Sequence, residues 1–165
     1  MGGDEEPVVV DERAGNLLGV RFGDSEEEVR ARLGRPTDDY EGVFPEGAEY
    51  TGPQFIPSPA SDAGLPKPLH YGDAAFLVSR TVGVFAMITL DGDARTKAGV
   101  EIGDELGKVR EVYDRVECGE AVGGEPVYGG ETPTYPWCLV RGKVRVFFGE
   151  DPVDSIMIRT TAARG

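Results

Sequence analysis

The amino-acid sequence predicts an α+β fold, a tandem repeat in which a short helix is followed by an antiparallel β-meander, arranged in two layers. Three observations predict it. The stretch "GVRFGDSEEEVRARLG", residues 19–34, has an echo in "GVEIGDELGKVREVYD", residues 99–114. Gly19, Val20, Gly23, Asp24, Val29 and Arg30 recur as Gly99, Val100, Gly103, Asp104, Val109 and Arg110. Each copy sets an aspartate before apolar positions at helical spacing, and each is followed by three short runs rich in β-branched and aromatic residues.

In the first copy Asp24 is the expected N-cap, with Glu27 three residues on completing a capping box and Glu26 to Glu28 at the positive end of the helix dipole. Val29 and Leu33 form the apolar stripe, and Gly34 followed by Pro36 stops the helix. In the second copy Asp104 caps, and Leu106, Val109 and Tyr113 form the stripe. Helices this short do not stand alone in water, so each lays its stripe on a sheet. After the first come "PLHYG", "AAFLVSR" and "VGVFAMITL"; after the second come "PWCLVR", "KVRVFFG" and "PVDSIMIRT". Breaks of Gly, Asp or Pro between these runs read as the turns of a meander. Val84 and Met87 match Val153 and Ile156 at an offset of 69 rather than 80, so the first copy carries an intervening loop about eleven residues longer.

The expected organisation is an N-terminal tether with room for a strand over residues 1–16, a first repeat over 17–92 and a second over 93–165. Residues 91–98, "DGDARTKA", join the copies. Neither unit has many large apolar residues, so the two sheets or helix layers are expected to bury area against one another.

A chain of 165 residues with 39% hydrophobic content is sufficient for a packed core. Its formal charge is −13, and residues 1–50 alone carry −9, from fourteen acids against five arginines. Such a field repels phosphate backbones and argues against nucleic-acid binding. The longest apolar run, "VGVFAMITL", has nine residues, half of the roughly 18 a bilayer span needs. The opening "MGGDEEP" has neither the basic start nor the apolar stretch of a signal peptide. It is similar to the polar tether that follows the lipidated cysteine of mature bacterial lipoproteins, which would confine membrane attachment to an absent N-terminal lipid anchor; the alternative is an ordinary cytoplasmic start.

Familiar catalytic chemistry has no motif here. His70, in "PLHYGD", is the sole histidine, on an expected strand, with no nucleophile or orienting group indicated beside it, and reads as structural or surface. There is no Gly-x-Ser-x-Gly elbow and no His-Glu-x-x-His. "DGDARTKAGVEI" opens like a calcium loop but has Arg95 at the fifth position, Thr96 where glycine belongs and Ile102 where the bidentate glutamate belongs. "GEAVGGEPVYGGETPTYP" is rich in glycine but lacks the Gly-Lys-Ser/Thr ending of a phosphate cradle. The expectation is a chain with no catalytic residues, no cofactor and no metal. The informative surface is instead the pair of loops over 37–66 and 119–137, at equivalent places in the two copies. Tyr40, Phe44 and Tyr50 in the first, and Tyr128, Tyr135 and Trp137 in the second, are the candidate partner-binding rings, since aromatics on loops held by a rigid sheet are a common hot-spot composition. For Phe55 and Trp137 the favoured alternative is folding back over the sheets, whereas Tyr40, Tyr50 and Tyr128, each beside an acid or glycine, are expected to be exposed.

Phe22, Gly23, Ser25, Val29 and Gly34 stand at the spacing of the F-G-x-[ST]-x-x-x-V-x-x-x-x-G signature. In this the chain resembles the β-lactamase inhibitory protein superfamily, to which small lipoproteins of the outer-membrane assembly machinery are also similar. The second copy keeps Gly103 and Val109, has Ile102 for the aromatic, and departs at Glu105 and Asp114. The resemblance covers roughly residues 17–160 and implies a disulfide between Cys118 and Cys138, tying the end of the second helix to its sheet. Such a bond would contribute about 3 kcal/mol and point to an extracytoplasmic compartment; two buried thiols or, with a single histidine to help, a metal pair are the other readings. The resemblance further implies a non-catalytic protein-binding or scaffold protein of a bacterial cell envelope, secreted or lipid-anchored, with a protein partner. The competing expectations are a small-ligand or cell-wall-fragment binder, with a pocket between the sheets lined by Phe76, Phe85 and Phe147, and a cytoplasmic immunity-type interaction protein.

Overall fold

The structure, a computed structural model, describes residues 8–36, 67–79, 82–122 and 134–160. Its first helix, α1, runs Glu26–Leu33 and is started by Ser25 rather than by Asp24. Ser25 Oγ accepts from the Glu28 N–H at 3.2 Å, and the Glu28 carboxylate accepts from the Ser25 N–H at 3.0 Å. This reciprocal pair is a capping box shifted by one residue from the expected register. Asp24 has different work: its Oδ2 accepts from the Arg21 N–H at 3.0 Å, closing the turn that leads into the helix. Val29 is buried and Leu33 packs beside it against the core.

The second helix, α2, is shorter than expected, Lys108–Val112, and Gly107 at its start supplies no side-chain cap. Asp104 is again a turn residue, accepting from the Glu101 N–H at 2.8 Å. The Leu106 N–H just ahead of α2 is satisfied instead by Asp151 Oδ1 at 3.0 Å. Both expected aspartate caps are thus corrected for the same reason. A carboxylate that accepts from the N–H three residues behind it is committed to the preceding turn and has left the helix start.

A seven-stranded antiparallel sheet follows the order β4-β5-β6-β11-β10-β9-β8. Its strands are β4 (Lys67–Tyr71), β5 (Ala74–Ser79), β6 (Gly83–Thr89), β8 (Val116–Val122), β9 (Thr134–Val140), β10 (Val144–Gly149) and β11 (Ser155–Thr160). At its centre β6 pairs with β11, placing Met87 opposite Ile158 and Ile88 opposite Met157. The expectation of two sheets burying area against one another is therefore corrected. The strands after α1 and those after α2 join edge to edge, so the backbone groups of β6 and β11 satisfy each other instead of facing solvent. A smaller sheet, β3-β2-β1-β7, holds β1 (Val9–Asp11), β2 (Asn16–Leu17), β3 (Val20–Arg21) and β7 (Arg95–Thr96), with β1 parallel to β7. The stretch expected to be only a joining segment, 91–98, thus contributes a strand.

Both faces of the large sheet are apolar, which is why its strands alternate only partly. One face, with Leu69, Phe76, Val84, Met87, Val146, Phe148, Ile156 and Ile158, packs against Val29 of α1, Val109 of α2 and Val10, Leu17 and Val20 of the small sheet. The other face carries Ala75, Leu77, Phe85, Ala86, Ile88 and Met157, with Trp137, Leu139 and Phe147 beside them. A register shift at Leu77/Val78 leaves Phe85 without an opposite residue, and this bulge turns Phe85 and Ala86 to the same face.

Each turn ahead of a helix is laid onto the large sheet's side of the core by two backbone bonds. The Gly23 N–H donates to Val84 O at 2.9 Å and the Val84 N–H to Asp24 O at 2.8 Å; the Gly103 N–H donates to Val153 O at 2.8 Å and the Val153 N–H to Asp104 O at 2.9 Å. The first contact is close enough to dictate Gly83, where φ is +77° and an added Cβ would meet Gly23 O at 2.5 Å.

Candidate functional site

The two cysteines are joined, and the residues that bring them together lie in adjacent strands. Cys118 of β8 stands directly opposite Cys138 of β9, with Cα atoms 4.1 Å apart and a disulfide between the sulfurs. The bond therefore links strand to strand, not helix end to sheet as the resemblance implies. The Arg141 N–H donates to Arg115 O at 2.9 Å, which begins the β8–β9 ladder and fixes its phase. In an antiparallel pair hydrogen-bonded positions alternate, so 117/139 and 119/137 are bonded pairs and 118/138 is a close, non-bonded one. That is where two Cβ atoms can be bridged with little backbone movement.

Of the candidate rings, Tyr40, Phe44, Tyr50 and Tyr128 lie outside the described residues, as does Phe55, and Tyr135 stands in β9 opposite Ala121. Trp137 is a strand residue rather than a loop residue, only 7% exposed, with its ring stacked on Phe147 at 6.4 Å between centroids. Of its two expected roles, it takes that of covering the sheet. Gly119 faces it across the ladder, and a Cβ at that position would meet Trp137 Cζ2 at 2.9 Å. The indole thus lies over the gap its glycine neighbour leaves, a cross-strand packing that stabilises glycine in a strand. The span 119–137, expected to be loop, is strand at both ends.

Phe76 belongs to the face that packs on the helices, whereas Phe85 and Phe147 belong to the opposite face. These three rings cannot line one pocket. The sheet they were expected to flank is continuous.

His70 lies in β4 opposite Ala75 and is 4% exposed. Burial pulls its imidazole below the ordinary histidine range, because desolvation disfavours the cation. Among the described residues no three His, Cys, Asp or Glu side chains converge as a metal site would require. No helix among them is long and apolar enough to cross a membrane.

One polar cluster escaped sequence reasoning. Glu12, 5% exposed, accepts from the Tyr113 hydroxyl and from the Ala98 N–H at 3.2 Å, and the Tyr113 hydroxyl lies 2.7 Å from Thr96 Oγ1. The residue after β1, the strand β7 and the end of α2 are pinned together there. Burial, then the bond to Glu12, pushes the Tyr113 hydroxyl well above the ordinary phenol range. No sequence signal marks this contact, since Glu12 sits in an acidic stretch that reads as solvated.

The sheet's two ends differ. β4 ends it with five residues that include Lys67 and Pro68, while β8 ends it with seven, "VECGEAV", whose Glu117 contacts Arg141. Comparison with protein-family models, with curated proteins and with solved structures finds no match to this chain.

Proposed function

We propose that this chain is a non-catalytic protein-binding or scaffold protein of a bacterial cell envelope, built as a tandem repeat of the β-lactamase inhibitory protein type. The disulfide between β8 and β9 carries the reading. A covalent staple of this kind persists in an oxidising compartment and is rare where thiols are kept reduced. It also stiffens the terminal strand β8 and its neighbour β9, between which the second ring-bearing segment runs, and a rigid frame is what lets such a segment bind without a large ordering cost.

Support for the repeat comes from the paired anchors. Gly23 and Asp24 bond Val84 as Gly103 and Asp104 bond Val153, joining the residues that sequence matching aligns at offsets of 80 and 69. The strands β4, β5 and β6 correspond in sheet order to β9, β10 and β11 about the central β6–β11 pair, with β8 left over. On this reading the N-terminal segment is a tether, and lipid attachment would lie upstream of β1.

Two measurements test the proposal. Cys118 and Cys138 should resist alkylation in intact cells until a reductant is added; free thiols there would remove the envelope assignment. Crosslinking from residues of the two loops in envelope fractions, followed by reconstitution with the purified captured protein, should yield a saturable complex. Failure of every captured protein to bind the purified chain would overturn the binding role.

A further inference from the structure

Natural sheets blunt their terminal strands by keeping them short or by placing Pro, Lys or bulges in them, because an open strand is a template for pairing. The β4 end of this sheet carries Lys67 and Pro68. The strands that end the small sheet, β3 and β7, have two residues each. The β8 end is different: seven residues in unbroken register with β9, with no proline, lysine or bulge. Its phase, set by the Arg141 to Arg115 bond, directs Glu117 and Gly119 toward β9 and turns the N–H and C=O groups of Val116, Cys118 and Glu120 outward. Among the described residues no strand pairs with that outward row. The disulfide at Cys118 holds the middle of the row straight, so the template is already ordered before a partner arrives.

The charge on this strand selects the occupant. Glu120 is exposed and Glu117, shared with Arg141, keeps half of its side chain exposed, in a chain whose net charge is −13. A second copy pairing through β8 would bring like charges together, whereas an extended basic segment meets complementary charge and is steered by the long-range field. We infer that the outer edge of β8 is a docking site for an extended segment of a partner protein rich in Lys or Arg, which adds to the seven-stranded sheet as a further strand. This inference rests on the proposed protein-binding role and names the surface and the partner chemistry.

The test uses the full oxidised chain and a synthetic peptide, acetyl-Lys-Val-Lys-Val-Thr-Val-Lys-amide, beside a counterpart with Glu for each Lys. The basic peptide should slow exchange of the Val116, Cys118 and Glu120 amides about tenfold or more and leave the β4 amides unchanged. Glu120→Pro removes one outward N–H while sparing the ladder positions on either side, and should weaken binding about tenfold. Glu120→Gln keeps the N–H and removes the charge; it should weaken binding a few-fold and lower its salt dependence, which guards against a proline variant that disturbs the strand. Equal protection by the acidic peptide, protection at β4, self-association through β8, or binding indifferent to both variants would each overturn the inference. A reconstituted envelope partner that binds Glu120→Pro normally would overturn strand addition and leave the binding role standing. Edge protection by the peptide with no envelope partner would do the reverse.

Discussion

At the scale of single residues, the buried polar groups decide how stability responds to pH. Tyr113 donates to the sunken Glu12 carboxylate, so Tyr113→Phe removes one of the two donors to a buried charge, leaving only the Ala98 N–H, and should cost about 1–3 kcal/mol in denaturant unfolding. Its folded pKa lies above the ordinary 10.0, so the folded state holds its proton where the unfolded chain loses it. That stabilisation is complete below pH 10.0 and drains away as pH rises beyond it, a slope that Tyr113→Phe should abolish. His70 works at the other end of the scale. Burial holds its folded pKa below the ordinary 6.5, so in the window beneath 6.5 the unfolded chain binds a proton that the folded one refuses. Stability should therefore be full above that value and fall as the pH drops through the folded pKa, and in His70→Gln this part of the profile should be flat. An unchanged acid limb in that variant would mean that His70 is not the group responsible. The strand position of His70 and the inward face of Tyr113 were legible beforehand, but Glu12 was not: a glutamate beside Asp11 carries no mark of what will cover it.

Among the elements, the helices were legible and their caps were not, for a reason visible in "GDSEEE". Asp and Ser stand side by side, each with a glutamate three residues on, so the pattern allows two capping registers. The backbone chose the one that leaves Asp24 free to close the preceding turn on the Arg21 N–H. Ser25→Ala should accordingly lower stability by about 1 kcal/mol, with the loss of amide protection concentrated in α1; an equal effect throughout the chain would argue against a local cap. The strand β8 was hidden because glycine and glutamate, which populate "VECGEAV", disfavour strands on their own. What holds it is tertiary: the ladder to β9, the indole of Trp137 over Gly119, and the disulfide. Replacing both cysteines with serine should cost about 3 kcal/mol and loosen β8 and β9 before β4 and β5, as read by hydrogen exchange. Uniform loosening would show that the staple acts on the whole fold instead of on its edge.

For the whole molecule the decisive feature is the seam between β6 and β11. Strands such as "VRVFF" and "DSIMIR" alternate only in part, and that pattern puts one face on helices and the other on water or on a twin sheet without saying whether the two groups of strands stack or join. Joining them puts Met87 opposite Ile158 in the middle of one sheet, with Val29 and Val109 in the same buried cluster. The turn at Gly23 then binds Val84 of β6, the turn at Gly103 binds Val153 just ahead of β11, and β1 pairs with β7. A core organised this way has no internal boundary at which one half can unfold and leave the other intact. Ile158→Ala, which empties volume at the seam, should cost about 2–5 kcal/mol, and the loss should register equally in the amides of β5 and β10, which lie in different halves. Denaturation should remain a single transition, with fluorescence of the buried Trp137 and exchange at α1 reporting the same midpoint. Two separated transitions, or protection lost in β10 and kept in β5, would mean that the halves are independent bodies and that the central pairing contributes little to holding them together.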